Sequence, residues 1–142
     1  MNGDSMALST SIQPRKQRKA RYEAPLHMRQ KLVHAHVSEE AAKKAGVTRR
    51  SAAIRTGDKV AVMRGKFRGK TGKVSEVSLS SLKVYVEGIV ARKAKGAEVL
   101  APIDPSNVSI VEFDMSDRRR KAVLERKGFV GSGAASGKRA SA

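Results

Sequence analysis

A run of alternating valines and closely spaced glycines between positions 57 and 74 constrains the fold of this chain most strongly. Val60 and Val62 occupy alternate positions, which is the period of a strand with one buried face. Three glycines then interrupt a basic loop, and glycine permits the positive φ angles that tight strand reversals need. They are Gly65, Gly69 and Gly72, which we expect to serve the fold itself.

The residues after this run predict four further short strands. They lie at Val74 to Val77, Leu82 to Val86, Glu98 to Ala101 and Val108 to Phe113. Turn-forming residues separate them, including the serines from 78 to 81 and the proline-containing run from 104 to 107. Five short strands at this spacing predict a mainly β fold, a small closed barrel that spans residues 55–114.

The segment before the barrel, residues 14–54, predicts a basic arm that is partly helical. Pro25 fits the first turn of a short helix that continues to Leu32, because proline there loses no intrahelical hydrogen bond. Ser38 as an N-cap and Gly46 just past the end predict a second short helix. The first thirteen residues are small and polar, and we expect this extension to be disordered.

The segment after the barrel predicts one more helix and a flexible tail. Ser116 is expected to cap a helix within residues 115–128, with Leu124 on a narrow apolar patch and Gly128 at its end. Residues 129–142 are rich in glycine, alanine and serine, a composition typical of a flexible tail.

The charge of the chain predicts a polyanionic partner. Lysine and arginine number 30 against 13 acidic residues, which gives a formal net charge of +17. No stretch approaches the length of a membrane span, so we expect nucleic acid and no membrane. The absence of cysteine excludes disulfides and thiolate metal sites, and we expect a cytoplasmic protein. Aromatic residues are only 4% of the chain, so phosphate contacts should dominate over base stacking.

The candidate RNA-binding residues are the cations of the arm, its histidines and the cations of the barrel loops. They are Arg15, Lys16, Arg18, Lys19, Arg21, His27, Arg29, Lys31, His34, His36, Arg64, Lys66, Arg68, Lys70, Lys73, Arg92 and Lys93. A solvated surface is the alternative for the loop cations, and ordinary packing is nearly as good an interpretation of His34 and His36. Phe67 either stacks on a base or caps the barrel, and we favour the cap.

Catalysis and metal binding are not expected. The His34 and His36 pair has no cysteine or adjacent carboxylate to complete a metal site. The acidic residues of the barrel are interpreted as surface positions, and no nucleophile and base motif is recognisable: Asp58, Glu76, Glu87 and Glu98. We therefore expect a protein that is not an enzyme, with no small-molecule substrate and no cofactor.

The glycine-rich stretch 57–74, followed by Tyr85-Val86-Glu87-Gly88, resembles a KOW motif. Ribosomal proteins and transcription elongation factors share this motif. The flanking sequence is more specific: PRKQRKARYEAPLH at 14–27, KLVHAHVS at 31–38 and DPSNV at 104–108 closely resemble the archaeal and eukaryotic branch of the universal large-subunit ribosomal protein L twenty-four family. The resemblance covers roughly residues 13–128.

This resemblance implies an SH3-like barrel and a structural role in the large ribosomal subunit. It implies binding to the 5′ domain of large-subunit ribosomal RNA, an early role in assembly and a position near the exit of the nascent-chain tunnel. The implied partners are that RNA and neighbouring ribosomal proteins, with Mg²⁺ present only as a counterion of the RNA. An elongation or antitermination factor is the alternative, although such factors usually carry a second domain, and a nonspecific basic nucleic-acid chaperone is a third.

Overall fold

The structure, a computed structural model, describes residues 9–125. Within that range the chain forms four α-helices, which are α1 Pro14–Glu23, α2 Leu26–Gln30, α3 Glu39–Ala45 and α4 Arg118–Glu125. Its strands there are β1 His34–Val37, β2 Ser51–Ala53, β3 Lys59–Val62, β4 Thr71–Ser78, β5 Lys83–Val86, β6 Val90–Arg92, β7 Glu98–Leu100 and β8 Val108–Glu112. A 3₁₀ helix, Pro105–Asn107, precedes β8. None of the helices described has the length and apolarity needed to cross a membrane.

Six of the strands form one curved sheet in the order β2-β1-β8-β3-β4-β5. Strand β1 runs parallel to β8, and the other neighbours are antiparallel. At the free edge of β5, Val84 and Ile103 exchange two backbone hydrogen bonds of 2.9 and 3.0 Å. Because Ile103 leads through the 3₁₀ helix into β8, this bridge closes a ring that runs through β5, β4, β3 and β8. The expected small β-barrel with a C-terminal helix is confirmed.

The alternating valines fill the interior as the sequence predicts. Val60 and Val62 of β3, Val84 of β5, and Val108 and Ile110 of β8 are all buried. Burial of each such side chain contributes about 1.5 to 3 kcal/mol, so this set is a substantial source of stability in the barrel.

The sheet begins earlier in the chain than the sequence indicated. The first strand was predicted after Arg55, yet β1 and β2 lie within the segment interpreted as an arm. Their sequences, HAHV and SAA, are short and poor in strand-forming residues, so their strand conformation depends on pairing with β8 and with each other. The predicted fourth strand exists as β7, but it pairs with β6 in a separate hairpin.

The helix ends agree with the sequence in one case and differ in two. In α3 the Ser38 hydroxyl accepts a hydrogen bond from the Ala41 amide at 3.1 Å, and Gly46 adopts a left-handed φ of 62°, as predicted. Pro25, by contrast, lies before the first turn of α2 as its N-cap, and that helix ends at Gln30. Leu32 therefore lies outside α2, where it packs against the core.

The cap of α4 is Asp117 and not Ser116. The Asp117 carboxylate accepts a hydrogen bond from the Arg119 amide at 2.8 Å, while the Ser116 amide donates to the Asp114 carboxylate at 3.1 Å. The predicted end of this helix at Gly128, the predicted tail and most of the predicted N-terminal extension lie outside the described residues.

Candidate nucleic-acid interface

Helix α1 presents cations on all sides and buries none of its residues. It carries five of the predicted RNA-binding cations: Arg15, Lys16, Arg18, Lys19 and Arg21. Of these, Lys19 forms an exposed ion pair with Glu23 at 3.6 Å, and the others form no ion pair within the described part of the chain. A helix that is polar all round gains little from packing against its own protein.

The N-terminal turn of α1 is also electrostatically unfavourable in isolation. The first turn contains no acidic residue, and Gln13 provides no side-chain cap. Arg15 and Lys16 instead place positive charge at the positive end of the helix dipole. A polyanion bound there would relieve this repulsion and stabilise the helix.

Arg29, in contrast, is occupied by contacts within the protein. Its Nε donates to the carbonyl oxygen of Ala24 at 2.9 Å, and its Nη1 donates to the carbonyl of Ser80 at 2.7 Å. Its Nη2 donates to the carbonyl of Tyr22. The side chain therefore links the turn between α1 and α2 to the turn between β4 and β5, and its predicted contact with RNA stays a prediction.

The loop between β3 and β4 is a compact basic turn. Four predicted cations line it, all exposed: Arg64, Lys66, Arg68 and Lys70. Gly65 and Gly69 have φ angles of 91° and 85°, and the Gly69 amide donates to the Val62 carbonyl at 2.8 Å. Phe67 packs against the core, and the Lys70 ammonium lies 5.5 Å from the centre of its ring. This supports the interpretation of Phe67 as a cap of the barrel.

Gly72 is required for a different reason from the one the sequence suggested. Its φ angle is not positive, but a Cβ atom there would lie 2.5 Å from the carbonyl oxygen of Glu87 and 2.7 Å from a methyl carbon of Val86. Contacts under about 3 Å are not tolerated in close-packed proteins, so β4 can approach the end of β5 only where the side chain is absent.

The outer face of the sheet carries mostly short side chains next to this loop. The strand register places Ser51, His36, Ser109, Ala61 and Thr71 side by side across β2, β1, β8, β3 and β4. Five strands at about 4.8 Å spacing make a strip of about 19 Å along the sheet. Lys70 directly precedes the strip at one end and Arg50 at the other. An RNA backbone could approach this surface closely.

The two histidines of β1 lie on that same outer face, because residues at alternate positions of a strand share a side. The Nδ1 atom of His34 lies 2.6 Å from the Lys31 carbonyl oxygen, while His36 is exposed. Among the residues described, no group of three or more metal-ligating side chains occurs.

The remaining predicted cations are placed apart from this surface or beside other groups. Lys73 is exposed on β4, and His27 is exposed on α2. Arg92 pairs with Glu98 across the β6–β7 hairpin at 3.0 Å, and Lys93 follows it at the exposed tip. The exposed ion pair balances part of the charge of Arg92, and the predicted contact of Arg92 and Lys93 with RNA stays a prediction.

Sequence reasoning missed two sets of residues. Arg49 and Arg50 are exposed beside the strip, and two adjacent arginines before a strand were the available signal.

Asp58 was interpreted as a surface acid, which is wrong: it is 0% exposed. Its carboxylate oxygens accept hydrogen bonds from both terminal nitrogens of Arg120, at 2.5 and 2.6 Å. The two residues are 62 positions apart, so the sequence pattern could not reveal this pairing.

Two carboxylates near this ion pair, Asp117 and Asp114, have pKa values below the ordinary value. The Arg55 guanidinium, 2.5 Å away, and the Arg119 amide lower the pKa of Asp117 below its ordinary 3.8. Hydrogen bonds from the backbone and side chain of Ser116 lower the pKa of Asp114. Both groups stabilise the junction between β8 and α4.

Comparison with known proteins relates the sequence to one family over most of its length. A family described as the eukaryotic ribosomal proteins L26 together with their archaeal L twenty-four counterparts matches residues 11–127. The chain is also 47% identical, over 122 residues, to "Large ribosomal subunit protein uL24" of Pyrobaculum islandicum. That alignment covers 86% of this chain and 98% of the relative. The matched span includes α1, the barrel and α4.

Proposed function

Because the chain belongs to this family of large-subunit ribosomal proteins, in its archaeal and eukaryotic branch, we propose that it binds the 5′ domain of large-subunit ribosomal RNA through α1 and the adjacent barrel surface. The chain is a structural constituent of the large ribosomal subunit and not an enzyme. Family membership removes the elongation factor and the nonspecific chaperone as alternatives. Its neighbouring proteins in the subunit are the other proposed partners, and Mg²⁺ is proposed only as a counterion of the RNA.

The observation that carries the proposal is that α1 has no buried residue and faces solvent with four cations unpaired in the described chain. Isolated helices of this length are marginal in water, and α1 gains little from tertiary packing. RNA phosphates would supply the missing stabilisation, since they pair with the cations and offset the helix dipole.

The barrel contributes a second, smaller part of the interface. The cations of the β3–β4 loop and the strip of mostly short side chains from Ser51 to Thr71 suit contact with the RNA backbone by charge and close approach. Arg49 and Arg50 extend the same surface. We therefore expect deletion of α1 to weaken binding more than neutralisation of the loop does.

A salt titration of binding to a 5′-domain transcript tests the proposal. If about 6 to 10 cations each neutralise a phosphate, affinity falls by about 10³ to 10⁵ between 50 and 200 mM salt. Deletion of residues 14–23 should flatten that slope, and neutralisation of Lys43 and Lys44, which are exposed on α3 and are not among the predicted RNA-binding residues, is the control. Equal binding by the chain without α1 would overturn the proposal.

The family resemblance also supports an early role in subunit assembly and a position near the exit of the nascent-chain tunnel. A protein that joins 5′-domain RNA early would hold segments of that domain together before later proteins arrive. Depletion should then accumulate precursors of the large subunit that lack late proteins. Normal assembly kinetics on depletion would contradict this role.

A further inference from the structure

A groove of about 250 Å³ separates α1 from the turn between β4 and β5. It is somewhat smaller than the roughly 300 to 1,000 Å³ of pockets that hold drug-sized ligands, and so it has room for one planar ring system whose substituents extend out of the groove. Its lining combines an aromatic ring, cations, hydroxyls and one carboxylate, including Tyr22, Arg21, Ser80, Lys83 and Asp104.

The two walls of this groove are joined by Arg29. The guanidinium of Arg29 donates to the carbonyl of Tyr22 on one side and to the carbonyl of Ser80 on the other. A third bond, to the carbonyl of Ala24, fixes the orientation of the fork. The groove is thus formed before any ligand arrives, which lowers the entropic cost of binding.

Tyr22 is an unusual surface residue in this chain. Its side chain is 77% exposed, although only 4% of the residues are aromatic. An exposed ring beside cations offers a stacking surface for an unpaired base. Arg21, which also lines the groove, forms no ion pair within the described residues and can meet the phosphate of the same nucleotide.

The part of the groove lined by Lys83 and Asp104 is unsuited to phosphate. Lys83 donates to Asp104 at 2.6 Å, so its charge is already balanced, and the carboxylate repels anions. A carboxylate accepts hydrogen bonds from the amino group of a base, as in contacts to cytosine N4. A base amino group therefore matches Asp104, and a phosphate matches Arg21.

We propose that this groove binds one unstacked RNA nucleotide, with its base against Tyr22 and a base amino group directed at Asp104. The inference rests on the proposed RNA-binding function and deepens it, because it adds a base-selective contact to an interface otherwise built on phosphates.

The test is an NMR titration of the labelled full chain with cytidine monophosphate, uridine monophosphate and inorganic phosphate. Cytidine monophosphate should shift the Tyr22 ring and the amides from Ser80 to Leu82, and it should bind more tightly than uridine monophosphate, which lacks an amino group. Equal shifts with inorganic phosphate would overturn the proposal in favour of a simple anion site.

Variants at Tyr22 separate this proposal from the broader one. Tyr22→Leu should weaken the binding of single-stranded cytidine hexanucleotide by roughly 5- to 100-fold, and Tyr22→Phe should retain most of it. Gln17→Ala, on α1 but outside the groove, is the control. If Tyr22→Leu binds normally while deletion of α1 abolishes binding, the groove proposal fails and the RNA-binding function stands. If neither change affects binding, both fail.

A protein ligand is the remaining outcome. The Tyr22→Leu chain would then keep its affinity for the hexanucleotide, but reconstituted subunits that contain it would lose a cross-link to a neighbouring protein. That result would assign the groove to that protein and overturn the nucleotide proposal.

Discussion

Asp58 and Arg120 form a buried, bidentate ion pair that fastens the C-terminal helix to the barrel. The Arg120 guanidinium lies 2.5 and 2.6 Å from the two carboxylate oxygens, and it also donates to the carbonyl of Asp114 at 3.0 Å. The Asp58 carboxylate accepts further bonds from the amides of Arg55 and Asp114, both at 2.9 Å. Each of the two carboxylate oxygens therefore accepts two hydrogen bonds from protein donors.

Removal of one partner of this pair should be strongly destabilising. We expect Arg120→Ala to lower the free energy of unfolding by about 3 to 5 kcal/mol, because it leaves a buried carboxylate unpaired. Urea unfolding followed by circular dichroism measures the loss. Arg119→Ala, on the exposed side of the same helix, should stay within about 0.5 kcal/mol of the wild type. Equal effects of the two changes would show that the pair is not what fastens α4.

The junction should also weaken in acid through Asp117. Its pKa is lowered by Arg55, so its contribution to stability is complete above the ordinary value of 3.8 and is lost as pH falls through the lower folded value. Asp117→Asn should therefore show a shallower loss of stability below that value than the wild type. Thermal unfolding at pH 2 to 5 provides the comparison, and parallel curves would exclude this contribution.

Gly72 and Gly65 should respond differently to alanine. Gly72→Ala places a methyl group 2.5 Å from a backbone oxygen, and we expect a loss of about 1 to 3 kcal/mol or more. Gly65→Ala meets no atom within 4 Å and should cost only the strain of its φ of 91°, on the order of 1 kcal/mol. Chemical unfolding of both variants shows which one loses more free energy of unfolding. A larger loss for Gly65→Ala than for Gly72→Ala would contradict the packing argument.

Arg29 should act through geometry and not through charge. Arg29→Lys keeps the positive charge but cannot reach three carbonyl oxygens, so we expect a loss of about 1 kcal/mol and faster hydrogen exchange around Ser80. Arg18→Lys, on exposed α1, is the matched control and should change neither quantity. If Arg29→Lys behaves like its control, the link between the arm and the barrel is not held by this side chain.

The parts of the fold that the sequence predicted are those set by local patterns. Alternating valines identified β3 and β5, and the Ser38 and Gly46 pair identified both ends of α3. Strands β1 and β2 escaped prediction because their alanines and histidines carry a weak strand signal. Strand β1 depends on β8, a partner about 70 positions away as His36 is from Ser109, and β2 depends in turn on β1.

In the candidate interface, too, the sequence predicted the features set by local patterns and missed those set by distant partners. Charge runs in the sequence located α1 and the β3–β4 loop, because clustered cations are a local property. The burial of Asp58 and the internal role of Arg29 could not be predicted, since each depends on a residue at least 51 positions away, Arg120 and Ser80 respectively. From sequence alone, an ionisable side chain is assigned to the surface, because the distant residue that would pair with it in the interior is not known.

Ultraviolet cross-linking of intact large subunits, followed by mass spectrometry of the RNA-linked peptides, tests the central claim most directly. The account predicts cross-links from peptides of α1 and the β3–β4 loop to the 5′ domain of large-subunit RNA, whether or not the β6–β7 hairpin also cross-links. Cross-links confined to the hairpin, or to another RNA domain, would contradict it.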